Sequence, residues 1–212
     1  MGSVTSILHH CLPESPSLVA WKERTKNWHD IMTFRGNVGT IVHNAISTYF
    51  SERYSIPIET PRVDFEVTTD MELEADLAMG SFSEFIRKFK LEPEEIEATV
   101  WHRKLRYAGR TDWIGWMNDR RVLLDWKTSS NIWPNHTYQV VAYKQAYLSD
   151  PAAKGGITSC FVVVLNPTKG LMVGRVHDEK VAWGEWVGAF NKFQEQFRME
   201  EERIKDIPYI EV

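Results

Sequence analysis

Trp113-Ile114-Gly115-Trp116-Met117-Asn118-Asp119-Arg120-Arg121-Val122-Leu123-Leu124-Asp125-Trp126-Lys127-Thr128 reads as two strands joined by a turn. The flanks are rich in aromatic and β-branched or aliphatic residues, and Asn118-Asp119 is turn chemistry. The second strand, taken as Arg121 to Thr128, is apolar through Val122, Leu123 and Leu124 and then changes character. Side chains alternate along a strand, so Asp125 and Lys127 point to the same side near its end. An acid and a base so placed do little for solubility. The carboxylate can bind a hard divalent cation, and the ammonium can hold or polarise a neighbouring water. A simple ion pair at the strand end is the competing explanation.

Working outward, Thr99-Val100-Trp101 and Leu105-Arg106-Tyr107 read as further strand segments. A helix is predicted over 136–149, stopped by Asp150-Pro151. Phe161 to Leu165 reads as a buried strand that pairs with Leu171 to Val176, and the last element is an amphipathic helix with Trp183, Trp186, Val187, Phe190, Phe193 and Phe197 on one stripe. Upstream, residues 1–30 read as irregular, then helical around Leu18 to Asp30. Gly36-Asn37-Val38-Gly39-Thr40 is expected to open a helix over 40–53, whose Ile41, Val42, Ala45, Ile46, Tyr49 and Phe50 form one buried face. His43 falls at the edge of that face, beside Phe50. Met79 to Lys90 reads as a surface helix within an acidic stretch. This order of helix, strands, helix, strands, helix predicts an α/β (α+β) domain with a central mixed sheet flanked by helices. One domain is expected over residues 1–212, with 1–35 as an N-terminal arm and 55–95 as an acidic helical insertion, both capping the cleft.

Composition narrows the function classes. The chain has 212 residues, 43% hydrophobic, 25% charged and 12% aromatic, proportions of a globular protein. Two cysteines, Cys11 and Cys160, exclude a disulfide framework, a four-cysteine zinc site and a four-thiolate iron–sulfur cluster. No apolar run approaches the ~20 residues of a membrane span, and no signal peptide is evident. The protein is expected to be intracellular and cytoplasmic, with no membrane partner and with a viral or prokaryotic setting equally open. The net charge of −4 is uneven: residues 64–97 hold eleven acidic and three basic residues, so the remainder of the chain is net +4. Nucleic acid is therefore not excluded.

A hairpin turning at Asn118-Asp119 brings Asp112 toward Asp125, and Glu97 lies fifteen residues before Asp112. Two or three carboxylates, a lysine and a histidine suit metal-assisted phosphodiester hydrolysis. Mg²⁺ suits a carboxylate site that keeps waters, and a histidine ligand makes Mn²⁺ equally apt. Taken singly, each residue has an ordinary explanation: Asp112 as a turn residue, His43 as a core histidine, Glu97 as one of several glutamates, Gln139 and Tyr143 as a polar helix edge.

In order, Gly39-Thr40-x-x-His43, Glu97, Gly109-x-x-Asp112, Asp125-x-Lys127-Thr128-Ser129 and Gln139-x-x-x-Tyr143 resemble the RecB-type branch of the PD-(D/E)XK nucleases. Within it they are similar to the mitochondrial genome maintenance exonuclease group and its phage and prokaryotic relatives. The likeness extends to Ser3-Val4-Thr5-Ser6-Ile7-Leu8 and Trp21-Lys22, and is weakest over 55–95. It implies a restriction-endonuclease-like core. It implies that Asp112 and Asp125 bind one or two Mg²⁺ or Mn²⁺ ions, with His43 and the Trp126 carbonyl completing the shell. Lys127 would orient or activate the attacking water and steady charge on the phosphate, and Glu97 would position water or a second ion. Gln139, Tyr143, Arg110, Thr128 and Ser129 would contact DNA, expected to be single-stranded or to present a free end, for exonucleolytic cleavage in replication, recombination or repair. No iron–sulfur cluster is expected. A non-cleaving nucleic-acid-binding module, a single-strand endonuclease and a small-molecule phosphoesterase are the other readings.

Nine tryptophans is a high number, and Trp101, Trp113, Trp116 and Trp133 are near the implied site in sequence. Aromatic faces stack on bases, while Arg103, Lys104, Arg106 and Arg110 can track a backbone. Core packing and a solvated strand face are the alternatives, and the tryptophans of the last helix are expected in the core.

Overall fold

The computed structural model describes residues 2–59 and 62–205, with side chains to residue 199. Its elements in chain order are α1 (Val4–Cys11), α2 (Pro16–Arg24), α3 (Trp28–Tyr54), α4 (Thr69–Lys88), β1 (Leu91–His102), β2 (Tyr107–Met117), β3 (Arg120–Lys127), α5 (Pro134–Leu148), β4 (Ser159–Asn166), β5 (Gly170–Arg175) and α6 (Glu179–Lys205). Five strands form one sheet in the order β1-β2-β3-β4-β5. β1, β2 and β3 are an antiparallel meander, β4 runs parallel to β3 after the α5 crossover, and β5 returns antiparallel. This is the mixed α/β architecture expected from the order of elements.

Alternation along the strands divides the apolar residues between two cores. Ile114, Leu123, Val162 and Val164 face α1, α5 and α6, where Ile7, Val140, Val141, Trp186 and Phe190 pack on them. Trp113, Leu124, Trp126 and Val163 face the other way, toward Val42, Ile46 and Phe50 of α3 and Phe82 and Phe85 of α4. Full burial of such side chains stabilises by ~1.5–3 kcal/mol each, so the sheet is held from both sides. Trp186 is core, as expected, whereas Phe197 at the end of the same stripe is half exposed.

Several elements differ from the sequence reading. The N-terminal residues are helical from Val4, capped by Ser3 Oγ, which accepts the Ser6 N–H at 3.1 Å; α2 begins at Pro16 under a Ser15 cap. These two helices are short and flanked by histidines and prolines, so they display little periodicity. α3 starts at Trp28, so Gly36 and Gly39 lie inside it and do not open it. Each interior glycine costs roughly 1 kcal/mol of helix propensity, which burial of Val38, Val42, Ile46 and Phe50 offsets. α4 is longer than predicted and is not a surface helix, because Met71, Ala75, Ala78, Phe82 and Phe85 line a buried face beneath its acidic exterior. Leu105-Arg106 is turn, with Arg106 at φ 59°, and β1 begins eight residues before Thr99 because an edge strand can carry glutamates on its open side. Among the described residues no helix is long and apolar enough to cross a membrane.

Candidate active site

The site forms where β2 and β3 part. Their ladder ends at Trp113↔Leu124. One step further Asp112 replaces the missing strand partner, its Oδ2 accepting the Trp126 N–H at 2.7 Å. The neighbouring position on β3 is Asp125, only 1% exposed, and Lys127 Nζ lies 2.6 Å from its Oδ2. The same-side placement read from strand alternation is thus observed. The ammonium is close but not aligned for a hydrogen bond: among the described residues, neither Asp125 oxygen has a hydrogen-bond partner. Lys127 thus offsets the Asp125 charge, while the two buried oxygens keep acceptor capacity that a further cation or water can meet.

His43 reaches in from α3. Nε2 is 3.0 Å from the Trp126 carbonyl, which can only accept, so Nε2 carries a proton. Nδ1 is thereby turned toward Asp112, 3.4 Å from Oδ1. A ring nitrogen donated to a backbone carbonyl while the other faces an acidic group is the arrangement that orients metal-ligating histidines. The Trp126 carbonyl is therefore engaged with His43 in this structure. α3 meets the end of β3 at Gly39, where a Cβ would lie in contact with Thr128 Oγ1 at 3.4 Å.

Glu97 completes the group from β1. It sits across from Asp112 between the pairs Ile96↔Trp113 and Ala98↔Thr111, with a left-handed φ of 51°. That conformation within a strand is strained for a non-glycine residue, and such strain concentrates at functional sites. Donor atoms of His43, Glu97 and Asp112 lie within 4.8 Å of one another, a set that can hold a divalent cation. Asp125 stands outside that set, paired with Lys127.

The charges are strongly coupled. Burial, followed by the Asp112 charge, raises the Glu97 carboxyl to about 7. Burial alone would lower His43, but Asp112 overrides it and lifts the imidazole to about 8. Burial raises Asp125 to about 6 against the pull of Lys127, whereas Asp112, also buried, is held below its ordinary value by His43. Lys127 is raised, because its two aspartates outweigh burial, so it is an ammonium at neutral pH and no base.

The other expected residues divide. Gln139 Nε2 donates to the Tyr143 hydroxyl at 2.8 Å, and Tyr143 is 3% exposed, too buried to touch a nucleic acid directly. Arg110 is half exposed and pairs with Glu59 at 2.7 Å, with its Nε 3.8 Å from Glu97 Oε2. Ser129 and Gln139 line a cleft of about 800 Å³ between α1–α2 and the start of α5. Trp113 is core, whereas Trp101, Trp116 and Trp133 are about 40% exposed. Arg103 pairs with Asp150 beyond the far end of α5, away from Gln139, so it does not join the site.

Sequence reading missed His136. Buried at the start of α5, it accepts the Trp133 N–H through Nδ1 at 3.3 Å, and burial together with nearby Lys127 lowers it to about 3. It is a neutral imidazole beside the ammonium; its only sequence signal is its position three residues after Trp133, ahead of an apolar helix.

Gly109 is fixed by close approach. A Cβ there would collide with Tyr143 Cε1, lie 2.9 Å from Cδ1 and 3.2 Å from Val4 Cγ2. Gly109→Ala should therefore destabilise the fold by about 1–3 kcal/mol, the usual cost of overpacking. Denaturant melts check this, and Tyr143→Leu should recover part of the loss in the double variant; a purely additive pair would mean that the two do not touch.

No protein-family model matches the chain, and no curated protein matches it. Among solved structures it is similar to an alkaline exonuclease (LHK-Exo) from Laribacter hongkongensis, at 16% identity over 66% of this chain and 74% of that one, with a TM-score of 0.43. LHK-Exo in complex with dAMP is 14% identical over 82% of this chain and 93% of that one, with a TM-score of 0.46. SSO0001 is 14% identical over 73% of each chain, with a TM-score of 0.35. At these scores the site's own geometry carries the functional reading.

Proposed function

We propose that the chain is a divalent-metal-dependent nuclease that hydrolyses phosphodiester bonds of DNA, acting on single strands or free ends. The observation that carries this reading is the meeting of His43, Glu97 and Asp112, from α3, β1 and β2, beside the Asp125–Lys127 pair of β3. A helix and three consecutive strands of the meander converge on one acidic point that also carries the Lys127 ammonium. The donor set, carboxylates with one imidazole, fits Mg²⁺ or Mn²⁺. When bound, such an ion lowers the pKa of an attacking water and neutralises charge on the phosphate. His43 would serve through Nδ1 with its ring oriented by the Trp126 carbonyl. Asp125 offers the acceptor capacity its ion pair leaves free to a second ion or to the water, and Lys127 steadies negative charge as it develops. Gln139, held by Tyr143, and Arg110 with Thr128 and Ser129 would border the strand.

The direct test is cleavage of end-labelled linear and circular single-stranded DNA, with duplex controls, in Mg²⁺, Mn²⁺ and EDTA. Metal-dependent loss of the linear strand alone supports an exonuclease, and nicking of the circle an endonuclease. Binding in Ca²⁺ with no cleavage in either metal, from folded protein, would replace this reading with that of a non-cleaving module.

A pH signature accompanies the site. Glu97 and His43 titrate near 7 and 8 in the folded chain, above their ordinary values of about 4.3 and 6.5. The extra protons stabilise the folded form below those ordinary values, and that stabilisation is lost as pH rises through about 7 and 8. The metal-free stability should therefore fall through about pH 4.5 to 7 from Glu97 and pH 6.5 to 8 from His43, and the part below pH 7 should be smaller in Glu97→Gln. Metal needs both groups deprotonated, so Mn²⁺ should raise the melting temperature more at about pH 8.5 than at pH 6. An equal metal shift at both pH values would remove these two residues from the ligand set.

A further inference from the structure

The cleft between α1–α2 and the start of α5 has a chemistry unlike that of the acidic centre. It encloses about 800 Å³, within the range of roughly 300–1,000 Å³ found for sites that bury small molecules, and is too small for a duplex. The segment leading into α5 presents Ser130 and Trp133, 42% exposed, and the first turns of α5 present Asn135 and Tyr138. Among the described residues no lysine or arginine lines it, and Glu185 is its one carboxylate. A lining of aromatic faces, hydroxyls and the amides of Asn135 and Gln139, with His9 as its one basic side chain, is not built to track phosphates; it suits uncharged, flat, hydrogen-bonding rings. The cleft begins at Ser129, two residues after Lys127, and at Gln139, which is bonded to Tyr143.

Resting on the nuclease reading, we propose that this cleft is a base-binding subsite for unpaired nucleotides adjoining the scissile bond. Trp133 stacks on a base, Tyr138 packs beside it, and Asn135 and Ser130 meet base edges. The phosphates stay outside, where Glu185 does not repel them. A duplex keeps its bases stacked on one another, so only an unpaired strand can fill the cleft, and single-strand preference follows from its lining.

The test is binding of a short oligothymidylate and of the same strand with abasic sites, in Ca²⁺, to the wild-type chain, Trp133→Ala and Trp133→Phe. One stacked base is worth roughly ten-fold in affinity. The wild type should prefer the base-bearing strand by about that factor; Trp133→Ala should lose the preference while binding the abasic strand as before, and Trp133→Phe should keep most of it. Quenching of 2-aminopurine placed next to the cleavage position should follow the same order. Equal binding of both strands by the wild type, no binding of either, or an unchanged preference in Trp133→Ala overturns the subsite. A base preference without cleavage in Mg²⁺ or Mn²⁺ overturns the nuclease reading alone.

Discussion

Lys127→Ala should slow metal-dependent cleavage by at least 10²–10³-fold, the usual loss when one group that steadies transition-state charge is removed. It should also weaken the fold. Asp125 is 1% exposed, and Lys127 Nζ, 2.6 Å from its Oδ2, is the cation that compensates it. Deleting one partner of a buried pair typically costs about 3–5 kcal/mol; because the Lys127 side chain is 19% exposed, roughly 2–4 kcal/mol is expected. Asp125 already holds its proton to about 6 and would hold it higher without the ammonium, so the deficit should grow as pH rises. Read as a strand end alone, the pair is dispensable to folding; its burial reverses that. Lys127→Met with Asp125→Leu should restore stability and remain inactive. Single-turnover rates and urea melts decide the matter, and a Lys127→Ala enzyme with wild-type turnover would remove Lys127 from the site.

Asp112→Asn should abolish metal binding and shift a specific proton. Asp112 is the group that lifts His43 to about 8 against burial. With the charge gone, burial remains, and the imidazole should titrate below its ordinary value of about 6.5. The introduced amide retains a carbonyl for the Trp126 N–H, so the strand junction should survive. Asp112→Ala, by contrast, leaves that buried donor unpaired at about 1–3 kcal/mol. Calorimetry with Mn²⁺ should show at least a hundred-fold weaker binding to Asp112→Asn, and an NMR titration of His43 reports the shift. A His43 midpoint that stays near 8 in that variant would mean that another group charges the imidazole.

Those two variants act on residues whose side is readable from alternation. The Asp125/Lys127 pair and the apolar face around His43 follow from period two and period 3.6, which a single sequence displays. What it does not display is depth and conformation. Tyr143 reads as a polar helix edge because a tyrosine is compatible with either side, and only the Gly109 contact reveals that its ring is wedged against β2. The left-handed backbone of Glu97 has no marker, since glycine or asparagine would have signalled it and glutamate does not. α4 reads as a surface helix because its buried positions are alanines as much as phenylalanines, and acidic neighbours outvote them in any window average.

The placement of the two cores bears on how the chain can be divided. α1 packs on one face of the sheet and α3 and α4 on the other, while the five strands follow later in the sequence. The first 88 residues thus supply walls to both sides of a sheet they do not build. Severing the chain before β1 would leave one piece with helices that have nothing to cover and another whose sheet is bare on the α3–α4 face and, on the other, keeps α5 and α6 but lacks α1. It would also part His43 from Asp112. The acidic centre accordingly cannot be inherited in portions, and the N-terminal helices must travel with the strands for either to be useful.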